Sequence, residues 1–443
     1  RTLLLEGSGT AYNLGQNRTP EAELPAFEVS RFRRAIDLTA GRLRSEQTRT
    51  PRFPGPAPGA QQIVVGLDGD VAYNVPATGA PTRAGEAAVR DRRRELYAHP
   101  LPLLRAALEP GAELALAGSG ADARLVLRAD GETFELWLDP ATRLPTRVVA
   151  RGDHPLLGDV ALETAFLDYR DAGGLRLPGR LVSRTDRWVT ADLRVERTEV
   201  DTDVGDLRAP EAVRAAPPPA PPAVNVAVEE IAPGVWYLTG GSHHSVVLEF
   251  ADHLMLVEAP LNEARTLAVI ARARELRPGK PVRTLVNTHH HFDHAGGIRT
   301  AIAEGLTIIT HAANVPFFRE VARRPRTLSP DALARAPHEP AFEPVSGPRT
   351  FRDRTRRVEI YPVEGSAHAE TLLMIYLPAE RLLIQADLFS PPPPGATAAR
   401  APFAADLLAN IERRRLRVER IVPIHGRVVP FADLVAAARA AAS

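Results

Sequence analysis

Between Asn287 and Gly297 the chain reads Asn-Thr-His-His-His-Phe-Asp-His-Ala-Gly-Gly, with four histidines and one carboxylate inside six positions. Crowded imidazoles and carboxylates each need a partner when buried, and a divalent cation supplies one to several of them at once. The spacing is His-x-His-x-Asp-His, so His289, His291, Asp293 and His294 are the ligand-type residues. On extended or loop backbone, residues two apart project to the same side, and His289 and His291 can grip one ion. Asp293 and His294 are carried past it toward a second. The plain alternative is a solvated histidine-rich loop. Against it, an apolar run at Thr284 to Val286 precedes the cluster and Gly296-Gly297 follows it, which suits a strand delivering a loop that turns into a helix. His290 sits between two ligands and should turn its ring away from the metals.

Three later residues extend this set, each at the end of an apolar strand or in the turn beside one. His368 lies in Gly-Ser-Ala-His, Asp387 closes Leu-Leu-Ile-Gln-Ala-Asp, and His425 closes Ile-Val-Pro-Ile-His. Singly, a strand-end His or Asp is more often a hydrogen-bonded turn residue; together they point to one sheet edge. The chain has no cysteine, so any metal must be held by nitrogen and oxygen. Such donors suit zinc, and also iron or manganese.

The elements around these residues are strands followed by helices. Val235 to Leu238, Ser245 to Phe250 and Leu254 to Glu258 read as strands. Asn262 caps a helix that stops at Arg277 before Pro278-Gly279. Thr284 to Asn287 delivers the histidine loop. A helix at Ile298 to Glu304 and strands at Leu306 to Thr310, Val358 to Pro362, Thr371 to Leu377, Leu382 to Ala386 and Ile421 to Ile424 follow, with helices at Asp406 to Arg415 and Phe431 to Ala442. Residues 312–356 are rich in Arg and Pro with little periodicity, and are expected to form a lid over the site.

Over residues 224–443, this arrangement resembles the metallo-β-lactamase-fold hydrolase superfamily. The resemblance rests on the His-x-His-x-Asp-His motif and the ordered His368, Asp387 and His425. It implies an α+β chain whose C-terminal domain is an αββα sandwich. It further implies two zinc ions, one held by His289, His291 and His368, the other by Asp293, His294 and His425, with Asp387 bridging. Two such ions share a water whose lowered pKa yields a hydroxide that attacks a polarised carbonyl. Asp293 orients it and passes a proton to the leaving group. Asp387 is of the type found in the glyoxalase II, lactonase and phosphodiesterase branches, whereas zinc β-lactamases typically have Cys or Ser there. The family's Asp after an early strand is Glu258 here, expected to support the metal loop. His243 and His244, on an early hairpin, and Arg427, after the His425 turn, are candidates for contacting substrate.

The chain has 443 residues with 44% apolar content, enough for two globular domains. A boundary is expected at Ala215 to Ala223, where five prolines in nine residues make a semi-rigid spacer and should leave the domains as separate folding units. Residues 1–214 read as mainly β. Hairpin signals occur at Asp68-Gly69, Asp130-Gly131 and Gly173-Gly174, and a helical stretch at Ala84 to Leu108 is broken near His99-Pro100. A twisted antiparallel sheet curling round a helix is the economical arrangement. The wording of Asp139 to Arg147, Phe166 to Arg170 and Gly174 to Pro178 resembles the curved half-barrels of LolA-like lipoprotein carriers. That resemblance implies a cupped surface for an apolar ligand, or simply a structural domain.

The balance of 55 basic and 54 acidic side chains, with no aromatic–basic stripe, disfavours nucleic acid as partner. No apolar run reaches the length of a transmembrane helix. The chain begins at Arg1 rather than Met, for which a cleaved export signal is one account and trimming another, so a periplasmic or secreted location is expected, otherwise a cytoplasmic one. The function expected is a binuclear zinc hydrolase acting on a small-molecule ester, lactone, thioester or amide. Alternatives are a β-lactamase-like amidase, a phosphodiesterase, or a ligand-binding protein with a vestigial metal site.

Overall fold

A computed structural model of the chain describes residues 1–442 apart from 56, 58, 393, 394 and 396–400. The first half is built on an antiparallel sheet of thirteen strands whose order begins at Thr82–Arg83 and ends at Glu113–Ala117, beside a two-stranded hairpin of Arg170–Ala172 and Leu175–Leu177. Its register follows the period of two: Phe134 and Leu136 of the strand Glu132–Leu138 are both buried on the same face. The helices Glu86–Leu96 and Pro100–Ala107 press Leu96, Tyr97 and Leu103 onto that face, into one core with Leu3, Phe32, Phe134 and Leu181. The break between them is made by Pro100, and His99 caps the second helix by accepting the Leu101 N–H at 3.2 Å. All three expected hairpin turns form. At two of them both central residues take φ > 0, Asp130 and Gly131 at 50° and 80°, and Gly173 and Gly174 at 62° and 81°.

The second half packs a seven-stranded sheet, Ala227–Ala232 to Phe342–Val345, against a six-stranded sheet, Arg349–Arg352 to Val429–Pro430. Val246, Leu248, Val257 and Val286 of the first sheet meet Ile360, Ile375, Ile384 and Val422 of the second in a continuous apolar core. The helices Glu263–Leu276 and Ile298–Ala303 cover one outer face and Ala404–Arg413 and Phe431–Ala442 the other, giving the expected αββα sandwich. Within the first sheet, the strands Leu254–Val257, Val282–Val286 and Thr307–His311 are parallel neighbours, so their C-terminal ends open on the same edge.

One expectation is corrected, and the two halves meet despite the proline-rich spacer. Leu156, Leu157 and Val160, at a hairpin tip of the first half, share a core with Leu254, Ile270 and Phe317 of the second. Spacer stiffness governs chain connectivity; it says nothing about whether the apolar hairpin tip finds a surface to bury against. Residues 312–356 are not a lid. Their helix Val315–Arg323 and the following turn brace the first half: Arg324 bonds the Leu157 carbonyl and pairs with Asp186, and Thr327 donates N–H and Oγ to Asp159 at 2.8 and 2.6 Å. Their partners lie outside the segment, which is why periodicity gave no sign of their role.

Candidate metal centre

The loop that follows the strand Val282–Val286 brings its ligand-type residues to the edge where Asp387 and His425 also emerge. The donor atoms fall into two groups, each mutually within 4.8 Å: His289, His291, His368 and Asp387 in one, His243, Asp293, His294 and His425 in the other. The seven residues expected as ligands thus converge, and His243 joins them. Asp387 reaches into both sets, with Oδ2 3.0 Å from His368 Nε2 and Oδ1 3.0 and 2.9 Å from the Nε2 atoms of His294 and His425.

Four of the five ligand-type histidines are held by one ring nitrogen and turn the other inward. His289 Nδ1 bonds Thr288 Oγ at 3.0 Å, and His291 Nε2 donates to the Asn17 carbonyl at 3.0 Å. His294 Nδ1 donates to Glu258 Oε2 at 2.8 Å, and His425 Nδ1 to the Ser242 carbonyl at 2.8 Å. Such bonds fix tautomer and ring orientation at metal sites. Among the described residues, the inward atoms His289 Nε2, His291 Nδ1 and Asp387 Oδ1 are buried without a hydrogen-bond partner. Asp387 Oδ1 lies 3.0 and 2.9 Å from the Nε2 atoms of His294 and His425, an approach that places all three around a common point. Buried orphans are costly to leave unmet. This donor set, all nitrogen and oxygen, fits a pair of divalent cations.

The electrostatics agree. Burial, together with His294, pushes the His289 pKa down to about 3, and burial and His289 push His291 well down, so both rings stay neutral. Burial works against ionised Asp387, but the charge of His294, the nearby His289 ring and the hydrogen bond from His368 outweigh it and hold the pKa well below the carboxylate range. Asp293 is likewise held low, chiefly by its hydrogen bond from His243 and by His294. Neutral imidazole and ionised carboxylate are the metal-binding forms. His294 and His425 are the exceptions: Asp387 and Glu258 overcome the burial of His294, and Asp387 that of His425, and raise both pKa values.

Glu258 is fully buried and does what its position suggested. Oε1 accepts the Thr288 N–H at 2.7 Å and Oε2 takes His294, so one carboxylate ties down both ends of the histidine loop. Glu258, Leu261 and Asp387 adopt φ of 69°, 69° and 64°. Left-handed backbone at non-glycine residues costs energy and gathers at functional sites.

The substrate candidates separate. His243 is buried beside the metal ligands, with Nε2 3.1 Å from Asp293 Oδ2 and its ring 4.1 Å from that of His425. His244 points elsewhere; it is buried edge-on against Tyr237 at 5.0 Å and does not line the pocket at the site. Arg427 is exposed, bonds the Pro392 carbonyl, and is not among the lining residues either. His290, as expected, faces away and bonds Thr371 Oγ at 2.8 Å.

What the sequence did not flag is the contribution of residues 13–25. This loop joins the strands Thr2–Tyr12 and Ala26–Asp37 of the first half and enters the site. Gln16 Nε2 donates to Asp293 Oδ1 at 2.8 Å, the Asn17 carbonyl holds His291, and Gly15 O accepts the Phe292 N–H at 3.2 Å. A pocket of about 510 Å³ opens over His368, Asp387 and His425, walled on the other side by Gln16, Leu24, Pro25 and Phe53.

Comparison with known proteins adds the family. Residues 238–425 match a model described as the metallo-beta-lactamase superfamily. No curated protein matches the chain. Among solved structures, the FIM-1 enzyme of Pseudomonas aeruginosa in its mono-zinc form aligns at 21% identity, covering 50% of this chain and 97% of its own, with a TM-score of 0.38. A metallo-beta-lactamase from Pontibacter korlensis aligns at 17% identity, covering 49% and 100%, with a TM-score of 0.37. One from Hirschia baltica aligns at 19%, covering 48% and 96%, with a TM-score of 0.36. The sandwich and its convergent histidines and carboxylates thus lie in a stretch, residues 238–425, that matches the metallo-beta-lactamase superfamily and has its fold.

Proposed function

We propose that this chain is a binuclear zinc hydrolase that cleaves an ester, lactone, thioester or amide bond in a small molecule. The observation that carries the reading is the pair of donor groups with Asp387, a member of one, reaching to His294 and His425 of the other, and with inward-facing atoms left unmet. His289, His291 and His368 would hold one ion, Asp293, His294 and His425 the other, with Asp387 between them. When bound, the ions supply Lewis acidity and a water acidic enough to be nucleophilic near neutral pH.

The chain's own residues do the rest. Asp293 is ionised, and with Oδ1 engaged by Gln16 it turns Oδ2 toward His243 and His294, 3.1 and 3.8 Å away. From there it accepts a proton and returns it to the leaving group. His243, beside Asp293, is the group best set to bond that proton's destination. Leu24, Pro25, Phe53 and Phe403 give the pocket an apolar wall, which favours a substrate with an apolar part next to the scissile bond.

The test is a panel of aryl and alkyl esters, lactones, thioesters and β-lactams, run on zinc-loaded, metal-depleted and Asp293→Ala protein. Turnover of at least one class should vanish on metal removal, return with zinc, and fall by roughly two to four orders of magnitude in the variant, the scale of general acid–base catalysis. Turnover that survives both treatments would sink the proposal.

A further inference from the structure

The metal centre is finished by a segment that lies outside the metallo-beta-lactamase domain. The loop 13–25 belongs to the first half, yet it touches the histidine loop at three successive residues. Gly15 lies flat on the Phe292 ring; its φ is 82°, and a Cβ there would come within 2.2 Å of Phe292 Cγ. Gln16 follows with its bond to Asp293 Oδ1, and Asn17 with its carbonyl on His291 Nε2. Asn17 is itself buried and braces the loop from within, Nδ2 donating to the carbonyls of Thr19 and Pro20 at 2.6 and 3.0 Å. Arg18 closes the seam: its carbonyl accepts the Glu370 N–H at 2.8 Å, and its guanidinium pairs with the Glu370 carboxylate at 3.1 Å. Such a loop is more than a cover, because two of its contacts end on side chains that carry inward-facing donor atoms.

We propose that Gln16 is a positioning residue for the second metal site, fixing Asp293 through Oδ1 so that Oδ2 is presented to the ion, and that the N-terminal half is thereby an obligate part of the metal centre. The physical reason is that a carboxylate on an unsupported loop can rotate and offer either oxygen, whereas Gln16 on Oδ1 holds the rotation in which Oδ2 faces the imidazoles of the donor group. Among Asp293's near neighbours, His243 and His294 both approach Oδ2. Gln16 supplies the donor recorded on Oδ1. The inference rests on the binuclear reading of the same site, but it concerns metal affinity and is independent of which bond is cleaved.

The experiment titrates full-length apo-protein with zinc against a chromophoric chelator, for wild type, Gln16→Ala and Gln16→Glu. Glutamate keeps the size of glutamine but replaces its donor with a second negative charge facing Asp293. The expected result is that wild type takes two ions. Both variants should hold the weaker ion about 10- to 100-fold less tightly, the usual effect of removing a partner that orients a ligand. The tighter ion and the melting temperature of the metal-free protein should be little changed. If wild type binds two ions and both variants bind the weaker one within twofold of it, the positioning role is wrong while the metal centre stands. Equal affinity in Gln16→Glu alone, with loss in Gln16→Ala, would reduce the residue to packing and also overturn the proposal. Fewer than two ions in wild type would instead remove the binuclear reading beneath it.

Discussion

At the scale of single residues, the site is a set of atoms each held from behind. Glu258 is the clearest case, because one buried carboxylate serves the Thr288 amide and His294 together. Glutamine at this position keeps only one acceptor and turns an amide N–H₂ toward the other donor. Glu258→Gln should therefore lower metal affinity by about 10- to 100-fold, read by chelator competition, while the sandwich stays folded. An unchanged affinity would mean that His294 needs no support. The ligand residues were legible in the sequence because His-x-His-x-Asp-His packs four of them into six positions, and because Asp387 and His425 each end an apolar run. From its place on an early hairpin His243 reads as a substrate contact; only the fold brings its ring to 4.9 Å from His294. His244 and Arg427 carried the same local signal and point elsewhere, since neighbouring positions in a turn diverge once the backbone bends. Gln16 gave no signal at all: it lies 277 residues from Asp293, in no motif.

At the scale of elements, the hairpin tip at residues 154–160 and the turn at residues 324–328 lock the two halves. Leu157 is fully buried in the shared core, and Gly158, at φ 71°, lets the Pro325 carbonyl approach to where a Cβ would lie 2.4 Å from it. Leu157→Ala should destabilise the protein by about 2–5 kcal/mol, as for other buried leucines, measured by urea unfolding followed in near-UV circular dichroism. Because that core serves both halves, the loss should appear in the unfolding of the second half as well as the first. A variant in which only the first half melts earlier would show that the halves fold separately after all. Nine of the thirteen sandwich strands are legible to within two residues because their apolar runs are continuous and bounded by turns, whereas Ala227–Ala232, Phe342–Val345, Arg349–Arg352 and Val429–Pro430 lack such a run. Residues 312–356 were misjudged because the partners of Arg324 and Thr327 are far along the chain.

At the scale of the whole molecule, buried histidines outside the metal centre couple folding to pH. Burial, with the nearby Arg34 charge, pushes His99 down to about 3, and burial with Arg326 and Arg324 pushes His154 down to about 4. Both rings are thus neutral when folded, while in the unfolded chain they protonate near pH 6.5. Below that value the unfolded state binds more protons, so stability falls as the pH drops from about 6.5 toward 4 and is fully present above it. Each site adds a slope of up to roughly 1.4 kcal/mol per pH unit in that window. His99→Asn keeps an acceptor for the Leu101 amide and removes the titration. The melting temperature of this variant should therefore depend less steeply on pH between 4 and 6.5 than that of wild type. A parallel pair of curves would exclude His99 as a contributor.

The central claim is that seven side chains from separate parts of the C-terminal half converge to hold two cations, with Asp387 common to both. The direct measurement is the zinc content of the purified full-length chain after equilibration with the metal and removal of the excess, compared with that of Asp387→Ala. Two ions per chain, falling to one or none in the variant, is the result expected. No retained zinc in wild type, or two ions retained equally in both proteins, would contradict the account.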